Sequence, residues 1–419
     1  MADTPTLIQI IAAVLFGVAL IHTFTVKQFE RLSNRFPAHA GLFHLLGEVE
    51  VVFGLWAVVL VLLMAVMAGP GAALDYAESR HYTEPMFVFV VMVVAASRPI
   101  LQAVASFVNW VADRMPTDAP TARVWLCLAA VPLFGSFITE PAAMTIAALM
   151  LAPQVFRKDV PERPKYIALG VLFVNVSIGG TLTSFAAPPV LMVAATWNWD
   201  TMFMAQTFGW KAALAVVVNA SVATALIRRH LRDASADSST AGRVPLGVIG
   251  IHAAFLAAVV VLAHHPVAFL GIFLLFLGYA HAYERHQNPL VIREAMLVAF
   301  FLAGLVVLGG MQEWWLQPIV SGMSPESLFF GAAALTAFTD NAALTYLGSL
   351  IAGIPDAAKY ALVAGAVAGG GMTVIANAPN PAGVALLKEG FADGTVGAGG
   401  LALGAAFPTV VALVAFWVL

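Results

Sequence analysis

The sequence predicts an all-α polytopic membrane protein made of two inverted-topology repeats. Hydrophobic residues make up 61% of the 419 positions and charged residues only 10%, whereas soluble domains carry about 25% charged residues. The apolar segments approach or exceed the ~20 residues that cross a bilayer as helix, and they lack the alternation of a β-barrel. The formal net charge is −3. We therefore expect the lipid bilayer as a partner and no nucleic acid.

A motif that places an acid inside an apolar run occurs twice. Residues 136–145 read SFITEPAAMT and residues 336–345 read TAFTDNAALT, with Glu140 and Asp340 in the same register. A carboxylate in hydrocarbon costs about 2.5–3.5 kcal/mol even on lenient insertion scales, so protein, water or an ion must solvate it. Two matched copies predict one shared site.

The first repeat is expected to cover residues 1–231 and to begin with three spans. Lys27, Arg31 and Arg35 follow the first span, which places that connector in the cytoplasm and the N-terminus outside. The compartment that we expect is the bacterial inner (cytoplasmic) membrane. The three spans are predicted at residues 7–24, 42–67 and 85–112.

A re-entrant hairpin and a broken helix are predicted next in this repeat. Basic residues flank both ends of the apolar segment 124–155, so both ends should lie in the cytoplasm and the segment should turn back within the membrane. The helix 166–196 is interrupted by Gly179, Gly180 and Pro188. One further span is predicted at residues 208–227, and a polar cytoplasmic linker at 232–245.

The second repeat, residues 246–419, shows the same order of elements with reversed orientation. Gly370, Gly371 and Pro379 interrupt its predicted broken helix, 359–387. Inverted repeats with paired broken helices point to a transport site near the middle of the membrane. The other predicted elements are spans at 246–264, 266–283 and 290–310, a re-entrant hairpin at 328–353 and a final span at 399–419.

Interrupted helices at membrane depth supply groups that bind ions. Backbone carbonyls freed by glycine and proline survive only where protein buries them or where they line a wet cavity. Together with threonine hydroxyls they can replace the water shell of a sodium ion, while a carboxylate supplies the compensating charge. A proton can compete with sodium for that carboxylate, and this competition is the simplest form of antiport. The positive ends of the half-helices could instead receive an anion.

The motifs of both halves resemble those of the ion transporter superfamily. Residues 339–345 (TDNAALT) and 370–380 (GGMTVIANAPN) carry the resemblance, and this superfamily includes sodium/proton antiporters, divalent anion/sodium symporters and arsenite permeases. The chain length, residues 139–141 and residues 179–181 look most like its sodium/proton antiporter branch. The resemblance implies a homodimer whose transport domain moves in an elevator-like fashion against a scaffold domain. It also implies an ion-binding and proton-binding set: Thr139, Glu140, Thr145, Thr183, Thr339, Asp340, Asn341, Thr345, Thr373, Asn377 and Asn380.

Acids at both hairpin tips favour a cation over an anion as the substrate. The anion symporters have neutral tips, whereas Glu140 and Asp340 would repel a dicarboxylate. We therefore expect a secondary transporter that exchanges sodium, or a similar small cation, for protons. The alternative is cation-coupled transport of a small anion. Pro189 replaces an asparagine at the position matching Asn380, so we expect one strong ion-binding side.

An enzyme is not expected. A membrane-embedded hydrolase with Glu140 and Asp340 as its acid pair would leave the inverted symmetry without a role. We expect no cofactor, and no metal other than the transported cation. For Glu48, Glu50 and Arg98 the sequence leaves open an interfacial or paired role and a direct role in transport, while Arg293–Glu294 is expected to form a local ion pair.

Overall fold

The computed structural model describes residues 5–231 and 243–419, and this part of the chain is helical without a β-strand. Within it, five helices are long and apolar enough to cross a membrane, or seven if each of two bent helix pairs counts as one span. The all-α membrane class is thereby confirmed. Residues 232–242, most of the predicted linker, lie outside the described residues.

The first three predicted spans form more helices than expected. The predicted span 42–67 is divided at Gly47 and Glu48, and the predicted span 85–112 bends by 64° between Ala95 and Arg98. The bend has a local cause, since Pro99 has no amide hydrogen to donate to the carbonyl of Ala95. The helices of this part are α1 (Leu7–Thr23), α2 (Val26–Arg35), α3 (Ala40–Leu46), α4 (Val49–Ala68), α5 (Pro70–Glu78), α6 (Thr83–Ala95) and α7 (Arg98–Ala112).

The segment predicted as the first hairpin contains two helices that meet at Thr139. Asp118 caps the helix before these two, Ala119–Leu128, and hydrogen bonds from Thr121 lower the pKa of Asp118. The next helix ends at Gly179, and the one after it begins at Pro188. In order these helices are α8 (Ala119–Leu128), α9 (Ala130–Ile138), α10 (Glu140–Leu151), α11 (Glu162–Gly179), α12 (Pro188–Trp197), α13 (Thr201–Met204) and α14 (Trp210–Ile227).

The second half contains a comparable order of elements. Two helices flank Asp340, and a long helix ends at Gly369 before the next begins at Asn380. Its helices are α15 (Leu246–Val261), α16 (Pro266–Ala282), α17 (Ile292–Gly309), α18 (Glu313–Val320), α19 (Pro325–Thr336), α20 (Asn341–Ser349), α21 (Asp356–Gly369), α22 (Asn380–Leu387) and α23 (Ala398–Val418). Helices α2, α5, α13 and α18 lie outside the predicted elements.

Helices of the first half pack against helices of the second half. Helix α10 contacts α22, α20 contacts α12, and α11 contacts α21. Helices α4 and α17 cross closely at Gly54 and Gly304, where a Cβ on Gly304 would lie 2.3 Å from the Gly54 nitrogen. The helix that follows each acid in the sequence therefore lies against the interrupted helix of the opposite half.

Candidate ion-binding site

Glu140 lies at the first position of α10 and is fully buried. Its Oε2 accepts a hydrogen bond from Asn377 Nδ2 at 2.8 Å. Its Oε1 is also buried and accepts no hydrogen bond from any residue that the structure describes. A buried acceptor without a donor costs roughly 1–3 kcal/mol, so this oxygen is a candidate ligand for a cation or a proton.

The backbone between α9 and α10 is strained. Thr139 has φ 81° and ψ 150°, a conformation that L-residues rarely adopt, and such residues cost about 1–3 kcal/mol each. This conformation ends α9 and lets α10 begin immediately at Glu140. The Thr139 hydroxyl is buried and makes no hydrogen bond with the described residues. The strained residue thus lies where the Thr139 hydroxyl and the Glu140 carboxyl group are next to each other in the chain.

Glycines at the two interruptions leave room for these side chains. A Cβ on Gly180 would lie 2.6 Å from Glu140 Oε1, and a Cβ on Gly370 would lie 2.1 Å from Ser177 Oγ and 2.9 Å from Asn341 Nδ2. Contacts shorter than 3.0 Å require something to shift. The close approach of each hairpin tip to an interrupted helix therefore depends on glycine.

Asp340 caps helix α20 and faces a narrow cleft. Its Oδ1 accepts hydrogen bonds from the backbone nitrogens of Ala342 at 2.8 Å and Ala343 at 3.2 Å. The carboxyl group is half-buried, and Asp340 lines the cleft together with Glu50 and Asn377. Because Asn377 also donates to Glu140, one asparagine connects the surroundings of the two predicted acids.

Three asparagines direct their amide nitrogens to protein acceptors and leave their oxygens buried. Asn380 Nδ2 donates to the carbonyls of Gly370 at 2.8 Å and Thr373 at 2.9 Å, across the second interruption. Asn341 Nδ2 lies 3.4 Å from Ser177 Oγ. The amide oxygens of Asn341, Asn377 and Asn380 accept no hydrogen bond from the described part of the chain. Amide, hydroxyl and carboxylate oxygens are the ligands that hard cations prefer, so this donor set fits a small cation as substrate.

The remaining predicted threonines donate to backbone carbonyls. Thr183 bonds to Ser136 at 2.6 Å and Thr373 to Ala337 at 2.9 Å, and each bond ties an interruption to the hairpin of its own half. The other three hydroxyls bond within or next to helices: Thr145 to Pro141, Thr345 to Asn341 and Ala342, and Thr339 to Leu335. The hydroxyl hydrogens of these five threonines are therefore used in hydrogen bonds to backbone carbonyls.

Three residues of the site were absent from the predicted set. Ser136 Oγ donates to the Gly179 carbonyl at 2.7 Å and accepts from the Leu182 nitrogen at 3.0 Å. Ser177 Oγ donates to the Val367 carbonyl at 2.8 Å, and Glu50 lines the Asp340 cleft. Ser136 is the first residue of the repeated motif, and its place in that motif could have identified it as a site residue.

A cavity of about 760 Å³ adjoins the first interruption. Ser184 and Phe185 of the interruption line it, together with Glu84 at the start of α6 and Asp200 and Thr201 at the start of α13. The Ser184 and Thr201 hydroxyls lie 3.3 Å apart. This end of the first interrupted helix thus borders a large cavity with a mixed polar and apolar lining.

Comparison with known families gives one match over nearly the whole chain. The model of a family described as "Putative Na+/H+ antiporter" matches residues 7–419. The comparison with curated proteins finds no match.

Proposed function

The chain belongs to the Na+/H+ antiporter family that it matches and is a transporter, not an enzyme, and we propose that it exchanges sodium, or a similar small cation, for protons. The observation that carries this proposal is the buried carboxyl group of Glu140, whose Oε2 is held by Asn377 and whose Oε1 accepts no hydrogen bond from the described residues. Asp340 is the second exchanging carboxyl group.

Exchange follows because a proton and a cation use the same oxygens. A proton bonded to a carboxylate removes its negative charge, and a cation bound there compensates that charge instead. Two carboxylates from different halves also give the site a negative potential that attracts cations. A site that alternates between these two occupants couples their movement in opposite directions.

The ends of the half-helices support a cation rather than an anion as substrate. A helix N-terminus is a ready anion site because its amides are unpaired. Asp340 already occupies the amides at the start of α20, and Glu140 is the first residue of α10. The protein's own acids therefore stand where an anionic substrate would bind.

We propose that the two halves, residues 1–231 and 246–419, are inverted-topology repeats. The packing of α10 on α22 and of α20 on α12 supports this relation, since each hairpin has the same type of partner in the other half. In this arrangement the hairpins and interrupted helices form the moving transport domain, and the close pair α4 and α17 belongs to the scaffold. Movement would be elevator-like, within a homodimer.

The proposed orientation has the N-terminus outside, in the bacterial inner membrane. Arg157, after the first predicted hairpin, donates from Nη2 to the carbonyl of His230, in the short turn that follows α14, at 3.3 Å. Two basic segments therefore lie side by side, which supports their placement on the same cytoplasmic face.

A pH-gradient dye assay in proteoliposomes tests the proposal. Sodium, potassium and citrate are added in turn to the wild type and to Asp340→Asn. We expect sodium-driven movement of protons in the wild type and its loss in the variant. No cation response together with citrate uptake would instead establish anion transport, with the acids as ligands of the coupling ion.

A further inference from the structure

Glu50 stands in the same cleft as Asp340, although it comes from a different part of the fold. It lies in the first turn of α4, and the cleft joins it to Asp340 at the second hairpin tip and to Asn377 in the second interruption. Val298 and Phe301 of α17 form an apolar wall. The two carboxylic acids thus face one narrow cleft.

The Glu50 carboxylate lies near charged groups but pairs with no positively charged side chain that the structure describes. Its near neighbour Glu48 forms the ion pair with Arg293 of α17, whereas Glu50 forms no ion pair with any side chain that the structure describes. The titratable and charged groups that act on it are Glu48 on its own helix, Arg293 on α17 and Asp340 on the hairpin. Arg293 forms its ion pair with Glu48, so the Glu50 carboxylate remains able to accept a proton from the cleft.

The cleft also contains a buried ligand-type oxygen. Asn377 is 1% exposed, and its Oδ1 accepts no hydrogen bond from the described residues. Its Nδ2 is committed to Glu140. The cleft therefore joins Glu50 and Asp340 to the same asparagine that holds the first acid.

We propose that Glu50 is a proton-relay residue that carries protons between Asp340 and the aqueous side on which α4 begins. The inference rests on the proposed cation/proton exchange and adds a third carboxylate to it. As a cation binds, the O–H bond of Asp340 breaks and the proton bonds to a carboxylate oxygen of Glu50, directly or through water. Glu50 then releases that proton to the solvent. Since α4 belongs to the proposed scaffold, the relay would operate only while the hairpin tip faces this cleft.

The test compares Glu50→Gln and Glu50→Asp with Glu294→Gln, an exposed acid in the first turn of α17. Exchange is measured across pH in proteoliposomes, and sodium binding to the solubilised protein is measured by calorimetry. We expect Glu50→Gln to lower the maximal exchange rate by about 10-fold to 100-fold, in the range lost with a positioned proton carrier, and to alter its pH profile. Sodium binding should persist, Glu50→Asp should retain most exchange, and Glu294→Gln should match the wild type.

The outcomes separate the relay from the proposed function. Wild-type exchange with an unchanged rate and pH profile in Glu50→Gln would overturn the relay alone. Loss of sodium binding in Glu50→Gln would also overturn it, because Glu50 would then be a cation ligand. If the wild type itself exchanges no cation for protons, the proposed function fails first. Glu50→Asp retains a carboxylate, so it distinguishes loss of the relay from a folding defect of the glutamine variant.

Discussion

Asn377 donates a 2.8 Å hydrogen bond to Glu140 across 237 positions of the chain. The donor lies in the second interrupted helix and the acceptor at the tip of the first hairpin. Neither half of the chain can therefore build this part of the site alone. The same asparagine lines the cleft of Asp340, so one residue links both acids to one region.

Replacing Glu140 with glutamine is expected to abolish exchange while preserving the fold. Glutamine has nearly the same shape and retains an oxygen for Asn377, but it cannot alternate between a proton and a cation. We expect sodium-driven proton movement to fall by at least about 100-fold in proteoliposomes. The control is Glu389→Gln, an exposed acid, which should exchange at the wild-type rate. Wild-type exchange by Glu140→Gln would remove Glu140 from the site.

Two substitutions of Asp340 separate its charge from its role as a helix cap. Asparagine caps helices about as well as aspartate, whereas alanine loses about 0.5–2 kcal/mol of stability. Both Asp340→Asn and Asp340→Ala should lose exchange, but only the alanine variant should unfold at a lower temperature. Thermal unfolding of the purified proteins gives the comparison. Equal stability of the two variants would show that the bonds to Ala342 and Ala343 contribute little.

Gly180→Ala is expected to disturb Glu140 without changing any charge. The new Cβ would stand 2.6 Å from Glu140 Oε1, and overpacking of this kind typically costs 1–3 kcal/mol. We expect lower stability and weaker apparent sodium affinity in the exchange assay. Gly247→Ala is the matched control, because nothing lies within 4 Å of its Cβ position. Identical behaviour of the two variants would contradict the close approach at Gly180.

Asn377→Ala tests the bond between the two halves. It removes the described donor to Glu140, and leaving a buried group without its partner costs roughly 1–3 kcal/mol. We expect the apparent sodium affinity to weaken by about 10-fold, the equivalent of 1.4 kcal/mol, in titrations of the initial exchange rate. Asn34→Ala, at an exposed position of α2, should have no effect. An unchanged sodium dependence in Asn377→Ala would show that Glu140 does not need this donor.

The cavity beside the first interruption can be tested by thiol labelling. The chain has a single cysteine, Cys127, which is fully buried, so the unmodified protein should resist a water-soluble maleimide in detergent. Ser184→Cys should react readily, because Ser184 lines the 760 Å³ cavity. Thr117→Cys, at an exposed position, sets the rate for full access. A Ser184→Cys rate as low as that of Cys127 would mean that water does not reach this cavity.

Some pairings in the site could not be predicted from the sequence. Arg293 pairs with Glu48 of the other half, and the expected local pair with Glu294 is wrong. Apart from Thr139, the threonines chosen from the motifs are bonded to backbone carbonyls. Ser177 was missed because it belongs to no repeated motif, and for Glu50 the sequence left a paired role and a direct role open. Which groups meet depends on helix crossings such as that of Gly54 with Gly304. The sequence around a glycine does not indicate which distant helix it will contact.

By itself, the sequence determined the membrane class, the two acids and the positions where helices are interrupted. These features are readable because hydrocarbon penalises a charge or an unpaired backbone group wherever it occurs, so each exception leaves a local mark in the chain. The tertiary structure alone decided that Asn377 meets Glu140 and that Glu50 shares a cleft with Asp340. Contacts between distant segments follow from the packing of whole helices, and that packing is a sum over many side chains which no single motif encodes.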